Sequence, residues 1–284
     1  MTITVLMALF LGLVQGITEF IPVSSSGHLA ILQNIFRLDY GDEAHLLFEV
    51  LVHLGTLGSI FVVYRKELRS MISDGLEFLQ KRNDSEPGEP VVLKPAGRAL
   101  LFILIGTLPM FVAVFFAGSV GRLFFYPAFI GFALLITGGI LFVADRFIKP
   151  GNKTEKTMSI ADALIIGLAQ SVAIIPGLSR SGTTISVGLA RGLSRTFAVR
   201  FSLLLSIPAI LGATVITLYS AIRDGASFAF FPVYLAGAVF AGVVGYFSIQ
   251  ILRRVIAKSG SAKFAYYCWG AGVLTIILSL VIPS

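Results

Sequence analysis

Two short polar stretches interrupt an otherwise apolar chain, and they hold the residue types that handle phosphate. Residues 15–28 read QGITEFIPVSSSGH, and residues 176–184 read PGLSRSGTT. The first brings an amide, Gln15, an acid, Glu19, the hydroxyls Ser24, Ser25 and Ser26, and His28. Ser25 lies three residues from His28, near enough for the imidazole, or for Glu19, to take the proton of a serine nucleophile, and a directly activated water is the competing chemistry. His28 read alone is equally a hydrogen-bonded core histidine. The second stretch places Arg180 among Ser179, Ser181, Thr183 and Thr184. Its planar fork suits phosphate oxygens, although an ion pair with Glu19 is the structural alternative.

The hydroxyls can cap helix N-termini or donate to an anion. Helices that start just after each stretch would also aim backbone N–H groups at an anion. The expected substrate-binding set is therefore Ser24, Ser26, Gly27, Ser179, Ser181, Gly182, Thr183 and Thr184. Pro22, Gly27, Pro176, Gly177 and Gly182 are expected to shape the turns. A carboxylate beside a phosphate repels it unless a proton or a cation intervenes. Mg²⁺ or Ca²⁺ held by Glu19, with Gln15 as a weaker neutral ligand, answers this. His45, Glu49 and His53 recur every fourth residue and read as a polar stripe facing a cavity rather than as a metal site. Glu49 and Gln170 are supporting residues in this reading.

The elements that carry these residues must lie in a membrane. Apolar residues make up 56% and charged residues 13%, with mean hydropathy +0.90. Soluble domains carry about 25% charged residues. Twenty-four Phe and aperiodic glycines exclude disorder and collagen-like repetition, and the single Cys268 excludes a disulfide framework. A net charge of +7 without aromatic interleaving reports membrane orientation and not nucleic acid.

Six apolar stretches are long enough to span a bilayer: about 45–64, 98–118, 126–144, 197–219, 231–252 and 264–282. Residues 3–36 and 160–190 are each broken by one polar stretch and read as re-entrant helix–loop–helix hairpins. No Lys or Arg precedes Arg37, which argues against a signal peptide. Shifted by 155 residues, GLVQGITEFIPVSSSG (12–27) lies without gaps on GLAQSVAIIPGLSRSG (167–182), with six identities in sixteen. The expected fold is therefore an all-α polytopic membrane protein: six transmembrane helices plus two re-entrant hairpins in an inverted-topology repeat. It forms one domain over 1–284, with repeats of about 1–144 and 157–284. Such repeats bring broken helices together near the bilayer midplane. The face with both termini has three basic residues, Arg37, Arg122 and Arg223, and the opposite face has eighteen. That bias puts both termini outside and the basic loops in the cytoplasm. Residues 65–97, around DSEPGEP, read as a mobile cytoplasmic loop.

The two stretches resemble the undecaprenyl-pyrophosphate phosphatase family associated with bacitracin resistance. Residues 15–28 match its (E/Q)xxxE block with the Ser-rich loop and His, and 176–184 match its PGxSRS block. Span order and spacing agree over the whole chain. The resemblance implies hydrolysis of a C55 isoprenoid diphosphate at the outer face of a bacterial inner membrane, recycling a lipid carrier for peptidoglycan synthesis. It also implies divalent-cation dependence and a catalytic core at Glu19, Ser25, His28 and Arg180. Gln15 takes the less acidic of the family's two options. The expected partners are the polyprenyl diphosphate, the bilayer and at most a second copy in a homodimer. Phosphatidate-type phosphatases share SGH and SR, but Ser186 stands where their nucleophilic histidine would be. The rival readings are a polyprenyl-phosphate flippase or anion carrier, and a non-catalytic scaffold.

Overall fold

The computed structural model describes residues 4–36, 43–84, 92–223 and 230–281. Regular structure among them is helical, apart from an isolated parallel bridge between Lys153 and Leu193. In chain order, α1 (Val5–Thr18) and α2 (Ser25–Ile35) form the first broken pair, and α3 (Glu43–Val63) meets α4 (Arg65–Asp84) at a 77° bend. Then come α5 (Pro95–Val114), the short α6 (Ala117–Gly121) and α7 (Pro127–Phe147). The second broken pair is α8 (Ile160–Val172) and α9 (Arg180–Ala190), followed by α10 (Arg195–Arg223), α11 (Phe231–Ser259) and α12 (Ala262–Val281).

Five helices among the described residues, α5, α7, α10, α11 and α12, are each long and apolar enough to cross a membrane, and the bent pair of α3 and α4 brings the number to six if it is counted as one span. The helices α5, α7, α10 and α12 match their apolar stretches to within four residues, α11 runs seven residues past its stretch, and the stretch at 45–64 corresponds to α3 alone. Proline in the first turn starts α5, α7 and α11, where its missing N–H costs nothing. Large apolar side chains such as Leu104, Phe111, Phe132 and Leu280 point outward, as a lipid-facing surface requires. The helices contact one another through small residues instead. On α7 and α12, Cβ atoms at Gly131 and Gly272 would lie 2.8 and 2.7 Å from the other's carbonyl oxygen. Gly12 lets α1 lie against the backbone of α11 at Gly237, and Gly167 lets α8 lie against that of α5 at Gly106.

Two sequence expectations need correcting. Residues 65–84 form a helix and not a loop. Met71 and Leu68 pack inward while the Lys and Arg side chains of α4 face out, so a helical stripe is hidden beneath high average polarity. Residues 85–91 lie outside the described part. The first break is also shorter than its polar sequence, because α1 stays helical through Gln15 and Thr18. Those polar side chains remain helical by bonding locally, Thr18 Oγ1 to the Val14 carbonyl and Gln15 to Glu19.

The helix α8 is anchored where it begins. Ser159 and Asp162 form a reciprocal capping box, and the Asp162 carboxylate also takes Lys153 Nζ at 2.9 Å and Arg191 Nε at 2.8 Å. Burial alone would raise the Asp162 pKa. The donors from Lys153, Ser159 and Arg191 outweigh it and hold the group down at about 2.

Candidate active site

Each break ends in a serine that caps the following helix. Ser24 Oγ accepts from the Gly27 N–H at 3.2 Å, and Ser179 Oγ accepts from the Gly182 N–H at 3.1 Å. Ser25 and Arg180 thereby become the first residues of α2 and α9. The backbone bends differently in the two. In the second break the bend falls on Gly177, with φ 92°, where a side chain would also strike Ala133. In the first it falls on Ser24, with φ 70°, the only non-glycine residue of positive φ among the described residues.

The two breaks cross in contact. A Cβ on Gly27 would lie 3.0 Å from Gly177 Cα, and one on Gly182 would lie 3.2 Å from Pro22 Cβ. A neighbouring helix steadies each. Thr137 of α7 donates to the Gly177 carbonyl at 2.9 Å and accepts from the Ser179 N–H at 3.1 Å. Cys268 of α12 places its Sγ 3.7 Å from the Pro22 carbonyl. Nothing in the apolar runs around Thr137 or Cys268 marks them in the sequence.

At the crossing stands Glu19, 4% exposed. Its Oε1 accepts from Arg180 Nη2. Its Oε2 accepts from Ser25 Oγ at 2.7 Å and from Gln15 Nε2 at 2.9 Å, with His53 Nε2 3.7 Å away. A buried carboxylate needs such partners, since charge removed from water is costly unless paired and hydrogen-bonded. The same geometry joins a hydroxyl, a carboxylate able to accept its proton, and a guanidinium.

These groups face a cavity of about 320 Å³. Its polar end is formed by Glu19, Ser24, Ser25, Ser26, Ser179 and Arg180, and its apolar wall includes Met110, Phe124, Ile174 and Ile210. Glu49 and Gln170 also line it. Glu49 Oε1 accepts from Gln33 Nε2 at 2.7 Å, a partner with no motif around it in the sequence. His53 of the polar stripe joins the site, while the side chain of His45 lies outside the described residues.

The other expected residues sit elsewhere. Gly27 and Gly182 form the crossing, and Ser181 Oγ lies 3.3 Å from Ser179 Oγ. Thr184 Oγ1 donates to the Arg180 carbonyl at 2.8 Å and lies 2.5 Å from Ser202 Oγ, and Thr183 Oγ1 has no hydrogen-bond partner among the described residues. None of these lines the cavity. His28 does not line it either. Its Nδ1 lies 2.7 Å from the Ser24 carbonyl and its Nε2 lies 2.8 Å from Tyr267 Oη.

The cation expectation bears on Glu19 and Gln15. Among the described residues there is no group of three His, Cys, Asp or Glu able to hold a metal. The Gln15 Oε1 atom is buried without a partner, next to the Glu19 carboxylate. Oxygen donors of this kind suit a hard divalent cation, although in this arrangement Gln15 turns its Nε2 to Glu19 and does not line the cavity.

The chain is similar to known proteins over nearly its whole length. A family model described as "Bacitracin resistance protein BacA" matches residues 8–274. The chain is 41% identical over 274 residues to a protein of Carboxydothermus hydrogenoformans named undecaprenyl-diphosphatase, covering 95% of this chain and 96% of that one. It is 38% identical over 285 residues to a protein of the same name from Methanosphaera stadtmanae, covering 98% and 99%.

Proposed function

Because the chain belongs to the bacitracin resistance protein BacA family, we propose that it hydrolyses undecaprenyl diphosphate to undecaprenyl phosphate and phosphate in a bacterial inner membrane. This returns a lipid carrier to cell-wall synthesis and confers bacitracin resistance. The observation that carries the chemistry is the 2.7 Å hydrogen bond from Ser25 Oγ to Glu19 Oε2, with Arg180 on the other oxygen of the same carboxylate.

Ser25 Oγ attacks the terminal phosphorus and passes its proton to Glu19 Oε2. The bond to the bridging oxygen breaks, and polyprenyl phosphate departs. Water then attacks the phosphoserine, and Glu19 returns the proton to Ser25 Oγ as phosphate leaves. Only Nη2 of Arg180 is taken by Glu19, so its other N–H groups are available to the phosphoryl oxygens. Ser26, Ser179 and the N-terminus of α2 add donors where charge develops. Glu19 and Gln15 would hold a divalent cation, and that ion would offset the charge of the diphosphate. Glu49 and Gln170 support the cavity wall.

The fold reading deepens in the same direction. The helices α1 and α8 start 155 residues apart, and α2 and α9 start and end 155 residues apart. The reciprocal contacts of Gly27 with Gly177 and Gly182 with Pro22 obey the same offset. These relations support two inverted repeats, with six spans and two re-entrant hairpins. The basic ends of the helices face the cytoplasm and both termini lie outside. The cavity wall at Met110, Phe124 and Thr217 belongs to helix ends on the opposite, outer side, where the lipid head enters while its tail stays in the bilayer.

The test is phosphate release from a long-chain polyprenyl diphosphate by purified protein, with and without EDTA. Turnover by the wild type and its loss in Ser25→Ala are expected. Lipid movement in liposomes with no phosphate release would overturn the hydrolase in favour of a carrier.

A further inference from the structure

The side chain three residues beyond the nucleophile is oriented away from it. Both ring nitrogens of His28 are committed, Nδ1 to the Ser24 carbonyl at 2.7 Å and Nε2 to Tyr267 Oη at 2.8 Å. A carbonyl only accepts, so Nδ1 carries the proton and Nε2 is left to accept from the tyrosine hydroxyl. The two rings also stack, with centroids 5.6 Å apart and planes 11° from parallel. Ser25 has given its hydroxyl to Glu19, and no nitrogen of His28 is free to receive it.

The Ser24 carbonyl also accepts from the His28 backbone N–H at 3.2 Å. This twice-held peptide belongs to the residue with φ 70°, a conformation that a non-glycine residue keeps only where its surroundings impose it. It directly precedes Ser25. The angle at which the nucleophile leaves the chain is therefore set by a carbonyl that His28 holds.

We infer that Tyr267 is a positioning residue for the phosphatase reaction. By donating to His28 Nε2 it fixes the Nδ1-protonated tautomer, which clamps the Ser24 peptide and aims Ser25 at the phosphorus. His28 acts through the same clamp and is not the base. In the opposite tautomer Nδ1 and the Ser24 oxygen would be two acceptors at hydrogen-bond distance, and the clamp would open. This inference rests on Ser25 being the nucleophile.

Three variants test it, each first checked for wild-type folding by gel filtration in detergent. Tyr267→Phe keeps the ring and removes the donor, and should lower kcat for polyprenyl diphosphate about tenfold with KM unchanged. His28→Asn keeps a donor near the position of Nδ1 and should stay within about tenfold of wild type. His28→Gln, whose amide reaches instead toward the position of Nε2, should lose about a hundredfold. ¹⁵N spectra of histidine-labelled protein, with His28 assigned by its loss in His28→Asn, should show the Nδ1-protonated tautomer in the wild type and a mixture in Tyr267→Phe. An unchanged kcat in Tyr267→Phe, a His28→Asn as inactive as His28→Gln, or an Nε2-protonated wild type would each overturn the inference. Full turnover by Ser25→Ala would instead remove the nucleophile reading on which it rests.

Discussion

The two breaks share a backbone plan and divide the chemistry. Matching places at the ends of α1 and α8 hold Glu19 and Ile174, and the first positions of α2 and α9 hold Ser25 and Arg180. In the proposed reaction one hairpin thus supplies nucleophile and base, and the other supplies a guanidinium and an apolar wall. Both Ile174 and Glu19 line the cavity, so the difference lies in side-chain chemistry rather than position. The hydroxyls differ as well. Those of α9 stay off the cavity, with Thr184 bonded to Ser202, while Ser25 and Ser26 line it. A symmetric binding site becomes a reactive one when its halves carry opposite charges, because each charge then has a partner before substrate arrives.

The sharpest way to break this comparison is to exchange roles between matching positions. Ser25→Ala and Glu19→Gln should each lower kcat about 10³-fold or more, whereas Ile174→Ala should change kcat less than about threefold. Equal losses at Glu19 and Ile174 in a phosphate-release assay would erase the division of labour. Next in size is Arg180→Lys, which keeps the charge but loses the fork and should cost about 10²-fold in kcat/KM. Arg180→Ala should in addition destabilise the protein by about 3–5 kcal/mol, since Glu19 would remain buried and uncompensated.

Backbone variants sharpen the contrast on a smaller scale. Gly177→Ala meets both positive φ and the Ala133 side chain, and should cost about 2 kcal/mol. That corresponds to a fall of about 3 °C in thermal unfolding in detergent for a chain of 284 residues. Ser24→Gly relieves its own positive φ while losing a cap, and should leave stability within about 0.5 kcal/mol. The smallest effect concerns pH. Asp162, held down at about 2, ties only the second hairpin to the surface. Its stabilisation is complete above the ordinary carboxylate range of about 4 and fades as pH falls toward 2. Protection of α8 amides against hydrogen exchange, taken relative to their intrinsic rates, should fall over that interval in the wild type and stay flat in Asp162→Asn.

The spans were legible in the sequence because twenty apolar residues in a row have one physical use. The helix α4 was not, because its apolar stripe of Leu68 and Met71 is outnumbered by charges that lie on the outward face. The cluster of Glu19, Ser25 and Arg180 was legible because charge and hydroxyl stand out within hydrocarbon. The orientation of His28 was not. Spacing along a helix says which residues are near, but the ring was drawn away by Tyr267, 239 positions along the chain in an aromatic run without any motif. Ser24 was equally hidden, since a positive φ is expected of glycine and the sequence offers a glycine three residues on.

The ion pair between Glu19 and Arg180 spans 161 positions, and this orders events while the protein is being made. At about 5–20 residues per second, the ribosome adds the arginine roughly 8–32 s after the glutamate. Until then Glu19 has no Arg180 to pair with, and Gln15 and Ser25 are the groups already made that bond to it in the finished fold. The proposed site is therefore complete only once the second hairpin has docked.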